Sequence, residues 1–267
     1  MKIDGKRIAE DILTAAKEQV AGLSRVPVVR AVTVLPNAAT ESYLRVKSAK
    51  AADAGMTLEV AKADPTTESV INAIEKPGAD AVIVQLPLPP EIDLDAVLSR
   101  IPVSKDADVL SKEAFNNFMN GKEGALIPPV AAAVAEIIAR AGVEVKGKEA
   151  VVVGYGKLVG LPVEKWLLAQ GADVRVVTRD SGEIASLLSH ADIVVSGAGS
   201  PGLVKPQMLK AGVVLIDAGT SESNGALVGD MDPGCEAVAS VFTPVPGGVG
   251  PIAVACLFRN AASLLTP

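Results

Sequence analysis

Apolar residues follow two patterns that alternate along the whole chain. Runs rich in valine and isoleucine predict strands over residues 28–35, 57–63, 79–86, 149–154, 173–178, 191–199 and 212–220. Apolar residues at helical spacing predict helices over residues 4–23, 41–55, 66–76, 93–100, 129–141 and 251–265, with a further helix that ends at Gln170. Thr40 is a candidate N-cap for the second helix, and Gly55 is a candidate stop. Strands that alternate with helices predict an α/β fold with parallel sheets.

A segment rich in glycine and proline, GKEGALIPPV at residues 121–130, divides this pattern into two halves. Segments of this kind link domains, so we place a domain boundary after residue 126. The second half contains a strand–helix–strand unit typical of a Rossmann-like domain. In open parallel sheets, ligands bind beyond the carboxyl ends of the strands. That rule points to Gln85, to the turn at 154–160, to Gly197 and Gly199, and to Gly219.

Composition narrows the class of protein. The chain has 267 residues, a net charge of −6 and 3% aromatic residues, so it lacks the basic surface that nucleic-acid binding needs. No apolar run reaches the roughly 18 residues of a membrane span, and the first residues lack the apolar core of a signal peptide. The two cysteines have no metal-site spacing, and His190 is the one histidine. We expect a soluble cytoplasmic enzyme with no bound metal and no nucleic-acid or membrane partner.

The turn Gly154-Tyr155-Gly156 follows a predicted strand and precedes a predicted helix that carries Gly160. The first glycine allows a tight turn, and the second lets the backbone approach a pyrophosphate. Free N–H groups and the positive end of the helix dipole can then hold the anion. The spacing to Gly160 is one residue longer than in the usual pattern, but the strand and helix on either side predict dinucleotide binding.

The residues after the next strand, at 178–180, bear on which dinucleotide binds. Thr178 and Arg179 favour NADP, because hydroxyl and guanidinium groups can accommodate a 2′-phosphate. Asp180 argues for NAD, because an acidic residue there can bind the ribose hydroxyls. Arg179 is also compatible with a solvated loop charge. NADP is therefore favoured, and NAD stays possible.

The first half carries the polar residues that can do chemistry. Tyr43 and Lys47 are four residues apart, so they share one helix face. Spacing alone favours a surface lysine over a half-buried tyrosine. Gln85 ends an apolar strand, where a buried amide needs hydrogen-bond partners. Asp106 and Asp108 follow in a polar loop, and alone they would pass for turn or capping residues.

Together these segments resemble the methylenetetrahydrofolate dehydrogenase/cyclohydrolase family. The resemblance runs from about residue 40 to the end, and VQLPLP with TPVPGGVGP is its most specific part. The matching segments are ESYLRVKSAKAADAG (41–55), VQLPLP (84–89), KDAD (105–108), VVGYGKLVGLP (152–162), ADIVVSGAGSPGLVK (191–205), VVLIDAGT (213–220), LVGDMD (227–232) and TPVPGGVGP (243–251).

The resemblance implies two coupled reactions: oxidation of methylenetetrahydrofolate to the methenyl form, and its hydrolysis to 10-formyltetrahydrofolate. Lys47 would handle the proton in the hydrolysis, because burial in an apolar cleft lowers an amine pKa. Gln85 would orient Lys47, Tyr43 would stack on the folate rings, and Asp108 would accept hydrogen bonds from the pterin. Further substrate contacts are expected from Pro246, Gly247, Gly248 and Gly250.

The resemblance also implies a cofactor site, a domain arrangement and a homodimer. The folate-binding catalytic domain is expected over 1–126 plus 250–267, and the Rossmann dinucleotide-binding domain over 127–249, with an active-site cleft between them. The homodimer is expected to form through the second domain. The implied cofactor contacts are Gly154, Tyr155, Gly156, Val159, Gly160, Thr178, Arg179, Gly197, Gly199 and Thr220.

Some positions depart from the family pattern, mostly on the cofactor side. Tyr155 and Gly156 replace the usual arginine and serine, which leaves the choice between NADP and NAD open. Val109 follows Asp108 where the family usually has glycine. Three alternatives stay open: a dehydrogenase without cyclohydrolase activity, a Rossmann dehydrogenase for another small substrate, and a non-catalytic cofactor-binding sensor. The Lys47–Gln85 pair argues against the last two.

Overall fold

The computed structural model describes residues 1–182, 184–223 and 226–266, and it has the predicted α/β architecture with parallel sheets. The chain forms two compact units. The three-stranded unit contains Ala9–Pro129 and the chain from Val254 onward. The five-stranded unit contains Met1–Ile8 and Val130–Ala253. Helix α1 (Gly5–Val20) begins in the five-stranded unit, and most of it belongs to the other.

The three-stranded unit is built around a short parallel sheet with β1 in the middle. Its strands are β1 (Val28–Val34), β2 (Thr57–Ala63) and β3 (Ala81–Val84), in the order β2-β1-β3. Its helices are α2 (Ala38–Asp53), α3 (Thr67–Glu75), α4 (Leu94–Leu98) and α5 (Lys112–Met119). Strand β3 is buried along its whole length, as its run of apolar residues predicts.

Two features of this unit differ from the sequence prediction. Helix α2 is capped by Asn37 and not by Thr40: the Asn37 side chain accepts a hydrogen bond from the Thr40 backbone N–H at 2.8 Å. Asparagine is a strong N-cap, and the two alanines that follow it extend the helix toward its start. Helix α5 was not predicted: it has only eight residues, and its apolar face consists of the buried Ala114 and Phe118 with the partly buried Phe115 and Met119.

The five-stranded unit contains a parallel sheet in the order β10-β7-β6-β4-β5. Its strands are β4 (Glu149–Val153), β5 (Asp173–Val177), β6 (Ile193–Ser196), β7 (Val213–Asp217) and β10 (Ala239–Phe242). A small antiparallel pair, β8 (Ser221–Ser223) and β9 (Ala226–Val228), lies between β7 and β10 in sequence. The helices are α6 (Pro129–Arg140), α7 (Gly160–Ala169), α8 (Ile184–Leu188) and α9 (Val249–Leu265), which ends in the three-stranded unit.

Strands β8, β9 and β10 were absent from the prediction. Each has only three or four residues, and the first two expose most of their side chains, so no long apolar run marks them.

The helices of the described residues include no candidate for a membrane span, since none combines sufficient length with sufficient apolar character.

Arg30 is a buried cation in the central strand β1, with only 1% of its surface exposed. Its guanidinium donates to both carboxylate oxygens of Glu59, at 3.1 and 3.2 Å. It also donates to the backbone oxygens of Lys76 and Pro77, which follow α3. Arg30 therefore joins β1, β2 and the C-terminal end of α3.

We expect Arg30→Met to lower the free energy of unfolding by about 3 kcal/mol, because a buried cation loses several charge-assisted hydrogen bonds at once. Urea denaturation followed by circular dichroism measures this change. Arg25→Met is the matched control. Arg25 pairs with Asp80 at 2.6 Å, but its side chain is 62% exposed, so its loss is expected to cost clearly less stability than the loss of Arg30. Equal costs for the two variants would contradict the proposed role of Arg30.

Candidate active site

Lys47 and Gln85 form a hydrogen-bonded pair in the three-stranded unit. Lys47 lies in α2, and Gln85 directly follows β3. The Lys47 Nζ donates to the Gln85 Oε1 at 2.9 Å. The Gln85 Nε2 in turn donates to the Leu86 carbonyl oxygen at 3.0 Å. This second bond fixes the amide orientation, so the amide oxygen faces the lysine.

Tyr43 lies one helical turn before Lys47, and its ring centroid is 5.1 Å from the Lys47 Nζ. The interpretation from spacing alone, a surface lysine over a half-buried tyrosine, is wrong. The lysine is the buried member, with 7% of its surface exposed, whereas Tyr43 is 46% exposed. A buried amine beside an accessible aromatic ring is an arrangement that can bind a flat ligand and act on it.

Asp108 belongs to the same electrostatic group. Burial raises the pKa of the Asp108 carboxyl to about 6, and the Asp106 charge adds to this effect, while Lys47 opposes it. Burial also lowers the pKa of the Lys47 amine, against the opposing charge of Asp108. Burial therefore makes the neutral amine of Lys47 more accessible near neutral pH than in a free lysine, which is what a proton acceptor needs.

The loop that carries Asp108 is held in place by its neighbours. The buried Asp106 carboxylate accepts hydrogen bonds from the backbone N–H groups of Leu110 at 3.1 Å and Ser111 at 2.7 Å. Val109, which directly precedes these two residues, adopts a left-handed backbone with φ of 56°, which is costly for a β-branched residue. The two hydrogen bonds span this strained residue, because they join Asp106 before it to Leu110 and Ser111 after it. They explain how valine is accommodated where the family usually has glycine.

Asn260 of α9 supports this loop from the other side. Its buried amide Nδ2 donates to the carbonyl oxygens of Ala107 at 3.0 Å and Ile127 at 2.9 Å. Asn260 therefore ties the residue before Asp108 to the segment that precedes α6. This residue was not singled out from the sequence. The available clue was an uncharged amide within a final helix that is mostly apolar.

In the five-stranded unit, the glycine turn connects β4 to α7 and has the close packing that a dinucleotide turn requires. Gly154 has φ of 90°, and a Cβ atom placed at Gly160 would lie 2.0 Å from the Gly154 carbonyl oxygen. At Gly156, by contrast, an added Cβ would meet nothing within 4 Å. No side chain caps the first turn of α7. Packed glycines on one side and open space at Gly156 fit a pyrophosphate held by backbone N–H groups.

The loop after β6 packs against this glycine turn. A Cβ atom at Gly197 would lie 2.3 Å from the Val159 Cγ1, and one at Gly154 would lie 2.8 Å from the Gly197 carbonyl oxygen. Gly199 has φ of 64°. The structure therefore brings together four of the predicted cofactor residues: Gly154, Val159, Gly160 and Gly197. The close approaches explain why residues 154 and 197 are glycines.

The other predicted cofactor residues lie at neighbouring strand ends. The Tyr155 hydroxyl donates to the Glu164 carboxylate at 2.8 Å, and Tyr155 is 48% exposed. Thr178 follows β5, and its backbone N–H donates to the Ser181 hydroxyl oxygen at 2.9 Å. Arg179 and Thr220 are exposed. Thr178 and Arg179 are thus at the carboxyl end of the strand beside β4, where the adenosine half of a dinucleotide is expected.

The segment Pro246–Gly250 lies in the five-stranded unit and packs on the start of α1. Gly247 has φ of 105°, and its carbonyl oxygen accepts a hydrogen bond from the Gly5 N–H at 3.0 Å. A Cβ atom at Gly5 would lie 2.0 Å from the Gly248 carbonyl oxygen. The Gly247 carbonyl group is therefore held by a hydrogen bond from Gly5, and the Gly248 carbonyl group packs closely against the same residue.

Comparisons with known proteins agree for both halves of the chain. The family profile described as "Tetrahydrofolate dehydrogenase/cyclohydrolase, catalytic domain" matches residues 3–108, and "Tetrahydrofolate dehydrogenase/cyclohydrolase, NAD(P)-binding domain" matches residues 128–266. The chain is 35% identical to the Bifunctional protein FolD of Staphylococcus aureus (strain Newman), over 97% of this chain and 94% of that protein.

Solved structures show the same similarity. The bifunctional methylenetetrahydrofolate dehydrogenase/cyclohydrolase FolD of Campylobacter jejuni superimposes with a TM-score of 0.94 at 28% identity, covering 99% of this chain and 98% of that chain. The methylenetetrahydrofolate dehydrogenase-cyclohydrolase of Trypanosoma brucei, complexed with NADP cofactor and inhibitor, gives a TM-score of 0.92 at 34% identity. That comparison covers 99% of this chain and 96% of the other.

Proposed function

The chain belongs to the tetrahydrofolate dehydrogenase/cyclohydrolase family, and we propose that it catalyses both reactions of that name. It oxidises methylenetetrahydrofolate to methenyltetrahydrofolate with NADP, and it hydrolyses that product to 10-formyltetrahydrofolate. The observation that carries this proposal is the buried Lys47 amine, which is held by the Gln85 amide and lies beside the exposed ring of Tyr43.

Folate binding is assigned to Tyr43 and Asp108. The exposed ring of Tyr43 offers a flat apolar surface on which the pterin can stack. The Asp108 carboxylate accepts hydrogen bonds from the paired donors of the pterin amino-pyrimidine edge. Pro246, Gly247, Gly248 and Gly250 are further substrate contacts on the strength of the family resemblance.

The dinucleotide is assigned to the five-stranded unit. When bound, NADP accepts the hydride that leaves the methylene carbon, and the protein's task is to align the two reactants. Gly154, Gly156 and Gly160 hold the pyrophosphate at the start of α7. Thr178 and Arg179 accommodate the 2′-phosphate, which is the feature that favours NADP over NAD. Val159, Gly197, Gly199 and Thr220 are further cofactor contacts on the strength of the family resemblance, with Thr220 on the nicotinamide side.

The hydrolysis needs a group that takes and returns a proton, and Lys47 is assigned to it. The neutral amine accepts a proton from the water that attacks the methenyl carbon, so a C–O bond forms as an O–H bond breaks. The tetrahedral intermediate then breaks its bond from this carbon to N5, and N5 takes up the proton held by the Lys47 ammonium. The hydroxyl of the intermediate loses its own proton to solvent and becomes the C=O of the formyl group on N10, so one proton is released overall. Gln85 keeps the Lys47 Nζ in position without adding a charge that would raise the pKa of the amine.

Two further properties are part of the proposal. We infer a homodimer and a cytoplasmic location from the resemblance to the family.

The test of the proposed function is a spectrophotometric assay with purified protein and methylenetetrahydrofolate. We expect reduction of NADP, transient formation of the methenyl compound and its decay to 10-formyltetrahydrofolate. The same assay with NAD in place of NADP is the comparison. A lower kcat/KM with NAD supports the assignment of Arg179 to the 2′-phosphate of NADP. No reduction of either cofactor would exclude the main proposal. Reduction without decay of the methenyl compound would instead favour a dehydrogenase that lacks cyclohydrolase activity.

The pH dependence of folate binding provides a second test. With the pKa of Asp108 at about 6, the carboxyl is ionised at pH 7.5 and largely protonated at pH 5. Protonation replaces one acceptor oxygen of Asp108 with an O–H donor, which then faces the N–H donors of the pterin. Folate binding therefore weakens as the pH falls through 6. We expect the Kd for folic acid, which carries the same pterin edge and is not turned over, to rise roughly tenfold between pH 7.5 and 5.

The control for this measurement is Asp108→Asn, which cannot ionise. It should bind folic acid more weakly at pH 7.5, and its Kd should change little between the two pH values. A wild-type Kd that is independent of pH over this range would show that Asp108 does not bind the pterin.

A further inference from the structure

Two buried carboxylates, Asp217 and Asp230, lie at the carboxyl edge of the sheet in the five-stranded unit. Asp217 is the last residue of β7, and Asp230 follows β9. Asp230 is 0% exposed and Asp217 is 2% exposed. Within the described residues, each accepts hydrogen bonds from backbone N–H or hydroxyl groups, none of which carries a formal charge. A buried carboxylate with several such donors organises the backbone around it.

The Asp230 carboxylate holds the loop after β6 through several hydrogen bonds. Its Oδ2 accepts from the Ser196 hydroxyl and the Ala198 N–H, both at 2.7 Å, and from the Gly199 N–H at 3.3 Å. Its Oδ1 accepts from the Ser200 N–H at 2.6 Å. Three consecutive N–H groups of this loop therefore point to one side chain.

Asp217 holds Asp230 in place. The Asp217 Oδ1 accepts from the N–H groups of Gly219 at 3.0 Å and Asp230 at 3.2 Å, and its Oδ2 accepts from the Met231 N–H at 2.9 Å. A Cβ atom at Gly219 would lie 2.2 Å from the Asp230 Cγ, so glycine is required there. Burial raises the pKa of Asp217, and the Asp230 charge adds to that effect.

The 197–200 loop, which Asp230 holds by these hydrogen bonds, packs on the glycine turn. A Cβ atom at Gly154 would lie 2.8 Å from the Gly197 carbonyl oxygen and 2.9 Å from the Ala198 Cα. Any shift of the 197–200 loop therefore moves a direct neighbour of the turn assigned to the pyrophosphate. The N–H groups of Ala198, Gly199 and Ser200 already bind Asp230, so this loop can meet a ligand only with its other atoms.

We propose that Asp230 is a positioning residue for dinucleotide binding, because its carboxylate fixes the 197–200 loop and, through that loop, the glycine turn. This inference rests on the proposed function, since it assumes that NADP binds at the turn. Asp230 does not touch the reacting atoms, and its effect is expected on cofactor affinity. The hydrolysis of methenyltetrahydrofolate consumes no dinucleotide and should not depend on it.

Asp230→Asn tests the proposal with almost no change in shape. One carboxylate oxygen becomes an amide nitrogen, which would face N–H donors and repel them. We expect the Kd for NADP, measured by isothermal titration calorimetry, to rise about tenfold to a hundredfold. The cyclohydrolase rate should stay within about twofold of wild type. Hydrogen exchange at the amides of 198–200, measured without cofactor, should accelerate, because these amides lose their acceptor.

Asp192→Asn is the matched control. Asp192 directly precedes β6, at the opposite end of that strand, where it accepts from the Glu149 N–H at 3.0 Å and pairs with Lys210 at 2.6 Å. Its loss should leave the Kd for NADP unchanged. Should Asp230→Asn not fold, Ser196→Ala removes one donor to Asp230 and is expected to raise the same Kd several-fold.

The possible outcomes separate this inference from the proposed function. If the wild-type protein binds NADP and a folded Asp230→Asn variant binds it with the same Kd, the proposed role of Asp230 is overturned. The proposed function is not affected by that result. Failure of the wild-type protein to bind NADP contradicts both. Parallel loss of NADP binding and cyclohydrolase activity in a folded variant would show a general structural role and also overturn the inference.

Discussion

Lys47→Met is expected to slow the hydrolysis of methenyltetrahydrofolate by about 10²–10⁴-fold, the usual contribution of a positioned acid–base group. Methionine has a similar length and fills the same buried space, so the packing of α2 against β3 should persist. What disappears is the amine that the Gln85 amide holds at 2.9 Å and whose pKa is lowered by burial. Stopped-flow measurement of methenyl decay gives the rate.

The dehydrogenase reaction is the internal reference for this variant. Hydride transfer needs alignment of donor and acceptor and no proton handler, so NADP reduction should fall by no more than about tenfold. Lys50→Met is the matched control on the same helix, because Lys50 pairs with Asp53 on the surface at 2.9 Å. Full cyclohydrolase activity in Lys47→Met would remove Lys47 from the mechanism.

The Gln85→Glu variant tests whether Lys47 acts by accepting a proton or only through its positive charge. A carboxylate beside the Lys47 Nζ stabilises the protonated amine and raises its pKa. If the neutral amine accepts the proton, the rising limb of the cyclohydrolase pH profile should move to higher pH, and the rate at pH 7 should fall. An unchanged profile would mean that the positive charge of Lys47, and not its proton, supports the reaction.

The sequence identified the residues of this pair more readily than it predicted their environment. Periodicity put Tyr43 and Lys47 on one helix face, and strand order put Gln85 at a ligand-facing edge. The burial of Lys47 could not be predicted, because it depends on residues that are distant in sequence, such as Gln85 and Asp108. The same spacing fits an exposed lysine equally well, whereas in the structure the lysine is buried and the tyrosine is 46% exposed.

Residues that act through backbone contacts were harder to find. Asn260 binds the carbonyl oxygen of Ala107, which is 153 positions away in sequence, and no periodic pattern encodes such a contact. The segment LVGDMD, which carries Asp230, could be matched to the family, but the three consecutive N–H donors to Asp230 come from a loop 30–32 residues earlier. Local patterns predict elements and exposed motifs. They do not predict which buried polar group satisfies which distant backbone atom.

Gly160→Ala is expected to abolish measurable NADP binding, with a rise in Kd of at least about a hundredfold. The added Cβ would lie 2.0 Å from the carbonyl oxygen of Gly154, and a backbone atom cannot move aside as a flexible side chain can. The first turn of α7 must then separate from β4, which distorts the turn assigned to the pyrophosphate and costs about 1–3 kcal/mol of stability. Calorimetric titration with NADP and urea denaturation measure the two effects.

Gly156→Ala shows whether the same turn touches the cofactor directly. An added Cβ at Gly156 meets nothing within 4 Å, so the free energy of unfolding should change by less than about 0.5 kcal/mol. NADP binding should nevertheless weaken by tenfold or more, because the pyrophosphate occupies the space that the methyl group would take. Cyclohydrolase activity should survive in both variants, since Lys47 and Gln85 belong to the three-stranded unit. Wild-type NADP affinity in Gly156→Ala would mean that the cofactor does not approach this glycine, and the open space beside it would need another explanation.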